Sequence, residues 1–426
     1  MKKVIALLIA ALMVFSLAAC NNTSTDQPSS GGAESSSVSQ DSASSPDTSA
    51  SSGASSSPDA SSSSGASSPQ DSSESPPAQG SSDGGDPSVN QNAIGFFDDG
   101  VDPFSRKTYD IVWAYMRPMA LFLNIGDSLR ELEPILNFKT TEYCANSDID
   151  AMIQTIEIYA DQGVDGIIIV IDASANMRIK EVLDDTGIPY IGILNTVRDS
   201  NGRHVVSVIG HDNILIVEEI GQWLYDNYKN YWGDIDTSKI ALLSFDFSPN
   251  VDFHERHLAA IDVFNRLFPN NAGVFEADGV TGGLNEETGY ELASAILSAN
   301  PQIEYWMVIS GLELYAQGTT RVAESLGIDD HTLISCVDVI VLSAAWESGY
   351  EGCWVSALGN DPIQFAAPAA CGIVSLINGT STPETLWSHM RAPNDERTFY
   401  QVSHNVLTID TYKDYFAQVR AEAGLG

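Results

Sequence analysis

Residues 163–172, GVDGIIIVID, form a continuous run of branched apolar residues that opens on a charged turn and stops at Asp172. A strand with one wet face alternates apolar with polar positions, whereas a strand covered by helices on both faces is apolar throughout. The run therefore predicts a central strand of a parallel sheet. Ligands of open parallel sheets sit at the carboxyl ends of the strands, which makes Asp172 a candidate contact. The preceding stretch, DIDAMIQTIEIYADQG, carries Ile149, Met152, Ile153, Ile156 and Tyr159 at helical spacing and ends at Gly163. The same reading predicts a strand at 93–97 (AIGFF), a helical segment within 105–123, a helix over 176–185, the turn TGIP and a strand in YIGILN. This βαβαβ series implies right-handed crossovers in one parallel sheet.

After VVSVIGHDN the rhythm restarts. Helices are predicted in ILIVEEIGQWLYDNY, HERHLAAIDVFNRLF, EETGYELASAILSAN and QGTTRVAESLG, interleaved with strands in KIALLSF, AGVFEAD, IEYWMVIS, TLISCVD and CWVSALG. One half ends near His211 and a second half of similar build begins there. The predicted class is α/β, two doubly wound parallel-sheet lobes with a cleft between the carboxyl edges of their sheets.

The N-terminus changes the picture of where this fold works. Lys2 and Lys3, an apolar stretch over 4–15 and small residues ending at Cys20 read as a secretory signal peptide over 1–20. The apolar run falls short of the ~20 residues that a membrane span needs. Residues 21–92 are mostly Ser, Gly, Ala, Pro and Asp with no aromatic residue and no Lys or Arg, a composition that cannot offset the entropy of ordering. A tether of that length spans about 45–50 Å if it behaves as a Gly/Ser linker; its serines are also candidates for glycosylation. With 57 acidic against 20 basic residues and a formal net charge of −37, the chain repels nucleic acid and anionic lipid surfaces. Four cysteines remain with the fold, Cys144, Cys336, Cys353 and Cys371. They lack a CxxC element, and in an oxidising compartment they admit three full pairings. A Cys336–Cys353 bridge stands against buried free thiols.

The order and spacing of QGVDGIIIVIDAS, TGIPYIGILN and VIGHDN, then NPQIEYWMVIS, QGTTRVAESLG, ALGNDP and HNVLTIDTYKDYF, resemble the type I periplasmic sugar-binding proteins of ABC transporters, the arabinose- and ribose-binding kind. The likeness covers roughly 93–416 and leans toward the arabinose-like branch. Cys20 after Leu17-Ala18-Ala19 resembles the bacterial lipobox, so lipidation at Cys20 is expected. The resemblance implies a three-stranded hinge, with one lobe at 93–211 plus 361–404 and the other at 212–360 plus 405–426.

It also implies site residues. DDGVDPFSR matches the family's loop after the first strand, making Asp102 a hydroxyl acceptor and Phe104 a stacking face; an ordinary acidic turn or a weak calcium loop is the plain alternative. Asp172 matches the cleft mouth, Asn195 a sugar-binding aspartate, Arg256 an arginine reaching into the cleft, Asp338 a strand-end carboxylate, and Asn360 a residue that caps the ligand at a crossing. Thr196 stands where the ribose-binding branch carries arginine. Leu312 and Glu313 stand where members often have Asn-Asp, so an amide contact is replaced by an apolar one, and the ligand is an uncommon sugar or something other than a sugar. Trp113, Trp306, Trp346 and Trp354 are read as core.

Residues 93–426 have no GxSxG, HExxH or phosphate loop; His254 and His257 are three apart, off the zinc-protease spacing. No enzyme activity, cofactor or metal is expected. The expected protein is a monomeric, extracellular, lipid-anchored solute receptor that delivers a monosaccharide or similar small polar ligand to an ABC transporter permease. The alternative is a subunit that presents a sugar or quorum signal to a membrane receptor kinase or chemoreceptor.

Overall fold

The computed structural model describes residues 100–425, and the expected signal peptide, Cys20, the Ser-rich tether and the strand at 93–97 lie outside the described residues. The chain lays down β1 (Tyr109–Tyr115), α1 (Ala120–Leu136), β2 (Phe138–Cys144), α2 (Ile149–Gln162), β3 (Gly166–Ile169), α3 (Asn176–Thr186), β4 (Tyr190–Ile193) and β5 (Val208–Gly210). It continues through α4 (Asn213–Trp232), β6 (Ile240–Asp246), α5 (Val251–Leu267), β7 (Gly273–Asp278), α6 (Glu286–Ala299), β8 (Tyr305–Ser310), α7 (Glu313–Leu326), β9 (Thr332–Val337), α8 (Ile340–Glu347) and β10 (Trp354–Gly359). It closes with α9 (Ile363–Asn378), β11 (Phe399–Gln401), β12 (Asn405–Leu407) and α10 (Tyr412–Glu422).

Two six-stranded sheets result, ordered β11-β5-β4-β3-β1-β2 and β12-β10-β9-β8-β6-β7. Every pairing is parallel except β10 with β12. The chain passes from the first sheet to the second after Gly210, returns after Gly359, and crosses again between Gln401 and Asn405.

The apolar runs follow from burial on both faces. Ile168 points into one cluster of the first lobe with Trp113 and Phe365, while Ile167 and Ile169 point into the opposite one with Val112 and Met152. The second sheet divides likewise, Leu243, Val308 and Ile334 to one side and Leu242, Met307 and Leu333 to the other. Each fully buried side chain of this size contributes about 1.5–3 kcal/mol. Trp113, Trp306, Trp346 and Trp354 are all buried in these cores.

Side chains fix the helix starts at the cleft edge. Asp148, Asp212 and Asn250 accept hydrogen bonds from free backbone N–H groups of α2, α4 and α5 at 2.9–3.3 Å. Gly163 ends α2 at φ 76°, a conformation that a Cβ penalises.

Two expectations are corrected and one open alternative is decided. First, the first described strand is β1, inside the segment read as helical; Ile111, Val112, Trp113 and Ala114 make it as continuously apolar as β3, which is central as expected. The loop after the first described strand is therefore 116–119, and DDGVDPFSR precedes that strand. Second, Cys336 and Cys353 are free thiols, as are Cys144 and Cys371. Trp354 pairs with Ile334 and Ala357 with Cys336, so the two cysteines lie about three residues, roughly 10 Å, apart along neighbouring strands, beyond disulfide reach. Third, the C-terminal segment straddles the lobes: Tyr412 packs in the second core, whereas Val419 and Ala423 pack in the first.

Candidate functional site

The carboxyl ends of the strands face each other across a cavity of about 90 Å³. The first lobe contributes Met116 and Met119 after β1, Asp172 after β3, Asn195 after β4 and His211 after β5. The second contributes Asp252 and Arg256 from α5, Leu284, Leu312 after β8 and Asp338 after β9. A larger hollow of about 570 Å³ lies by Tyr190 and Arg397, within the first lobe. Its charges are spent on one another, Lys180 on Asp184 and Arg397 on Glu384.

Arg256 is fixed by its neighbours. Nε donates to Asn213 Oδ1 at 2.8 Å and Nη1 to the Gly311 carbonyl at 2.9 Å. Gly311 permits this approach, since a Cβ there would meet the Arg256 side chain at 3.2 Å. The guanidinium also lies 5.2 Å from the Phe253 ring centroid, and burial lowers its pKa. One turn earlier, Asp252 accepts from Asn213 Nδ2 at 3.0 Å and, across the cleft, from Thr196 N at 3.2 Å and Thr196 Oγ1 at 3.1 Å. Burial pushes its carboxyl pKa up.

Asp338 has a left-handed backbone, φ 75°, and accepts from Asn360 Nδ2 at 3.2 Å. Burial raises its pKa, with the Arg256 charge and the Asn360 bond opposing. Asp338 and Arg256 form no ion pair among the described residues; each presents its charge to the shared space. His211 is 4% exposed and both ring nitrogens are buried without a hydrogen-bond partner. Its ring meets Phe365 and His404 edge-on, 5.4 and 5.8 Å between centroids, which brings the three crossing segments together. Burial, with Arg256 and His404 adding to it, holds the imidazole well below its usual pKa and therefore neutral.

The structure thus brings Asp172, Asn195, Arg256 and Asp338 to one cavity, with Asn360 behind Asp338. Asp172 spends Oδ1 on the Ser174 N–H at 2.9 Å, and Asn195 Nδ2 donates to the Ile171 carbonyl at 2.9 Å. Asp102 and Phe104 are not brought there: they belong to a single turn ahead of β1, where Asp102 caps Phe104 N at 2.9 Å and Phe104 is 64% exposed. Glu313 also faces away from the ligand space; its Oε1 accepts from Val341 and Leu342 N–H groups at 2.6 and 3.1 Å. His211, Asp252, Met119 and Leu284 were not foreseen as lining the cavity. Only the i, i+4 spacing of Asp252 and Arg256 on one helix offered a signal. Among the described residues no cluster of His, Cys, Asp or Glu suited to a metal ion occurs.

Two doubly wound lobes crossed three times by the chain, with charged side chains of both lobes in the space between, define a hinged binding protein. A family profile described as periplasmic binding protein domain matches residues 124–367, more than half of the chain, and the chain belongs to that family. It is a family of binding proteins, not enzymes. No match was found among curated proteins.

Solved structures share the fold at low identity. An ABC transporter periplasmic solute-binding protein from Actinobacillus succinogenes 130z, with bound D-allose, is 17% identical, with a TM-score of 0.57 over 72% of this chain and 100% of its own. One from Bacillus halodurans C-125, with bound myo-inositol, is 15% identical, with a TM-score of 0.56 over 73% and 98%. The 5-methylthioribose transporter solute-binding protein from Thermotoga lettingae TMO is 18% identical, with a TM-score of 0.58 over 75% and 95%.

Proposed function

We propose that this chain is the extracellular solute-binding component of an ABC transporter, held to the membrane by a lipid on Cys20, and that it binds a monosaccharide or similar small polar molecule between its lobes. The observation that carries this reading is the shared cavity: a neutral imidazole, a guanidinium and a carboxylate from two lobes meet there with hydrogen-bonding capacity unspent. A hydroxyl group both donates and accepts, so a polyhydroxylated molecule answers all three at once. Asp172, Asn195, Arg256 and Asp338 are its proposed contacts, and Asn360 holds Asp338. The family assignment and neighbours solved with D-allose, myo-inositol and 5-methylthioribose support a small carbohydrate-like ligand. Lipid anchoring rests on the N-terminal sequence, where Leu17-Ala18-Ala19 precedes Cys20; among the described residues no helix is long and apolar enough to cross a membrane.

A panel of sugars and polyols screened by thermal shift against the full-length protein tests the reading. A ligand present at 100 times its Kd adds about 2.7 kcal/mol. At least one panel member is expected to raise the melting temperature of the wild type but not of Arg256→Ala. A flat response across the panel would defeat the proposal.

A further inference from the structure

Resting on that reading, we infer that the ligand is amphiphilic: a hydroxylated end faces the hinge, and an apolar substituent, such as a terminal deoxy or S-methyl group in place of a hydroxyl, faces the outer side of the cleft. The sheet orders carry the argument. In the first sheet the strands run outward from the hinge as β5, β4, β3, β1, and in the second as β10, β9, β8, β6, β7. The cavity residue that follows β5 is His211, Asn195 follows β4, and Asp338 follows β9. Arg256 and Asp252 start from α5 but reach inward, to Asn213 and Thr196 respectively. Polar capacity therefore collects beside the hinge. Both ring nitrogens of His211, Oδ1 of Asn195, Nη2 of Arg256 and Oδ2 of Asp338 have no protein partner among the described residues.

Farther out the lining changes character. Met116, Met119 and Phe122 follow β1, Leu312 follows β8 and Leu284 follows β7. The polar side chains interspersed with them are each tied to the protein at one atom. Arg117 Nε donates to Ser147 Oγ at 2.9 Å, Asn250 Oδ1 caps α5, and Asp172 Oδ1 holds Ser174. A ligand hydroxyl that meets only Leu312, Leu284 and Met119 would lose water and gain no partner, which costs about tenfold or more in Kd. A methyl or thioether in that position gains apolar contact instead.

The test uses D-ribose, D-galactose and D-glucose, each beside its terminal deoxy and terminal S-methyl counterparts, in calorimetric titrations of the full-length protein. At least one deoxy or S-methyl member is expected to bind about tenfold or more tightly than its parent sugar. Leu312→Asn should narrow or reverse that preference. Leu312 starts α7 without a side-chain cap, which favours asparagine there, but it is also buried in the second-lobe core; Leu312→Asn and Met119→Asn are therefore both checked by circular dichroism, and either folded variant answers the question. Parent sugars bound as tightly as their apolar counterparts would overturn the inference while leaving the sugar-binding reading intact. Binding of neither form would overturn both.

Discussion

Asp338 combines two costs at one residue. Its φ of 75° is left-handed, worth about 1–2 kcal/mol for a residue with a Cβ, and its carboxyl sits where burial opposes ionisation. Leu194, at the matching strand end of the first lobe, is also left-handed, φ 64°, and also lines the cavity. Strain of this kind persists where the surrounding fold imposes it, and here it aims side chains at the ligand space. Asparagine tolerates this conformation well and keeps an oxygen for the Asn360 bond, but it carries no charge to desolvate. Asp338→Asn is therefore expected to melt at the wild-type temperature or a few degrees above it at pH 7 without ligand, yet to bind ligand about tenfold or more weakly. Differential scanning calorimetry and titration read the two effects; a destabilised, fully binding variant would contradict the assignment. Asp338 and Asp172 were legible in the sequence because a polar residue ending an apolar run marks a strand's carboxyl end. His211 was not, because its significance lies in the partners it lacks, and only tertiary packing reveals those. Asp102 and Phe104 were read as following a strand, whereas they precede β1.

At the scale of elements, Glu313 ties two helices together. It opens α7 and accepts from the first free N–H groups of α8, a helix with no side-chain cap of its own. Burial, with Asp338 adding to it, pushes the Glu313 carboxyl from 4.5 up to about 8, the two backbone donors opposing. Cys336 is the other titratable group coupled to it, and burial raises that thiol well above its ordinary pKa. With the folded pKa above the unfolded one, the folded state retains a proton that the unfolded chain releases. Stability from this group is complete below about pH 4.5 and declines as pH rises toward about 8. Glu313→Gln keeps the accepting oxygen and removes the ionisation, so its melting temperature should gain on wild type between pH 5 and pH 8. Parallel melting curves for the two proteins across that interval would refute this account. The α7–α8 tie was invisible in the sequence, which suggested only that the residues at 312 and 313 depart from a family pattern. β2 and α8 were not read either. β2 is an edge strand, FKTTEYC, with most of its side chains part-exposed and no sustained apolar signal. α8 has only eight residues, too few for its period to show.

For the whole molecule, the two-lobe plan was legible because the strand–helix rhythm restarts after His211. The lobe contacts were not, since they join residues far apart in the chain. Those contacts hold the cleft shut: Thr196 bonds Asp252, Arg198 Nη1 meets Glu255 Oε1 at 2.9 Å, and Met119 packs against the cores of both lobes. A ligand gripped from both sides stabilises the closed arrangement by its differential contacts, and its apparent Kd scales inversely with the fraction already closed. Arg198 and Glu255 do not line the cavity, so Arg198 acts on that fraction, while Glu255 also accepts from Asn213 at 3.3 Å beside Arg256. Their pair is part-exposed, 34% and 26% for the two side chains, which limits it to about 1 kcal/mol. Arg198→Glu sets two carboxylates against each other, and Glu255→Arg two guanidiniums. Each should open the lobes, raise the radius of gyration measured by X-ray scattering without ligand, and weaken binding about three- to tenfold. The double exchange restores opposite charges across the same gap and should recover most of the affinity. A double variant as weak as the two single losses combined would show that the pair does not control closure.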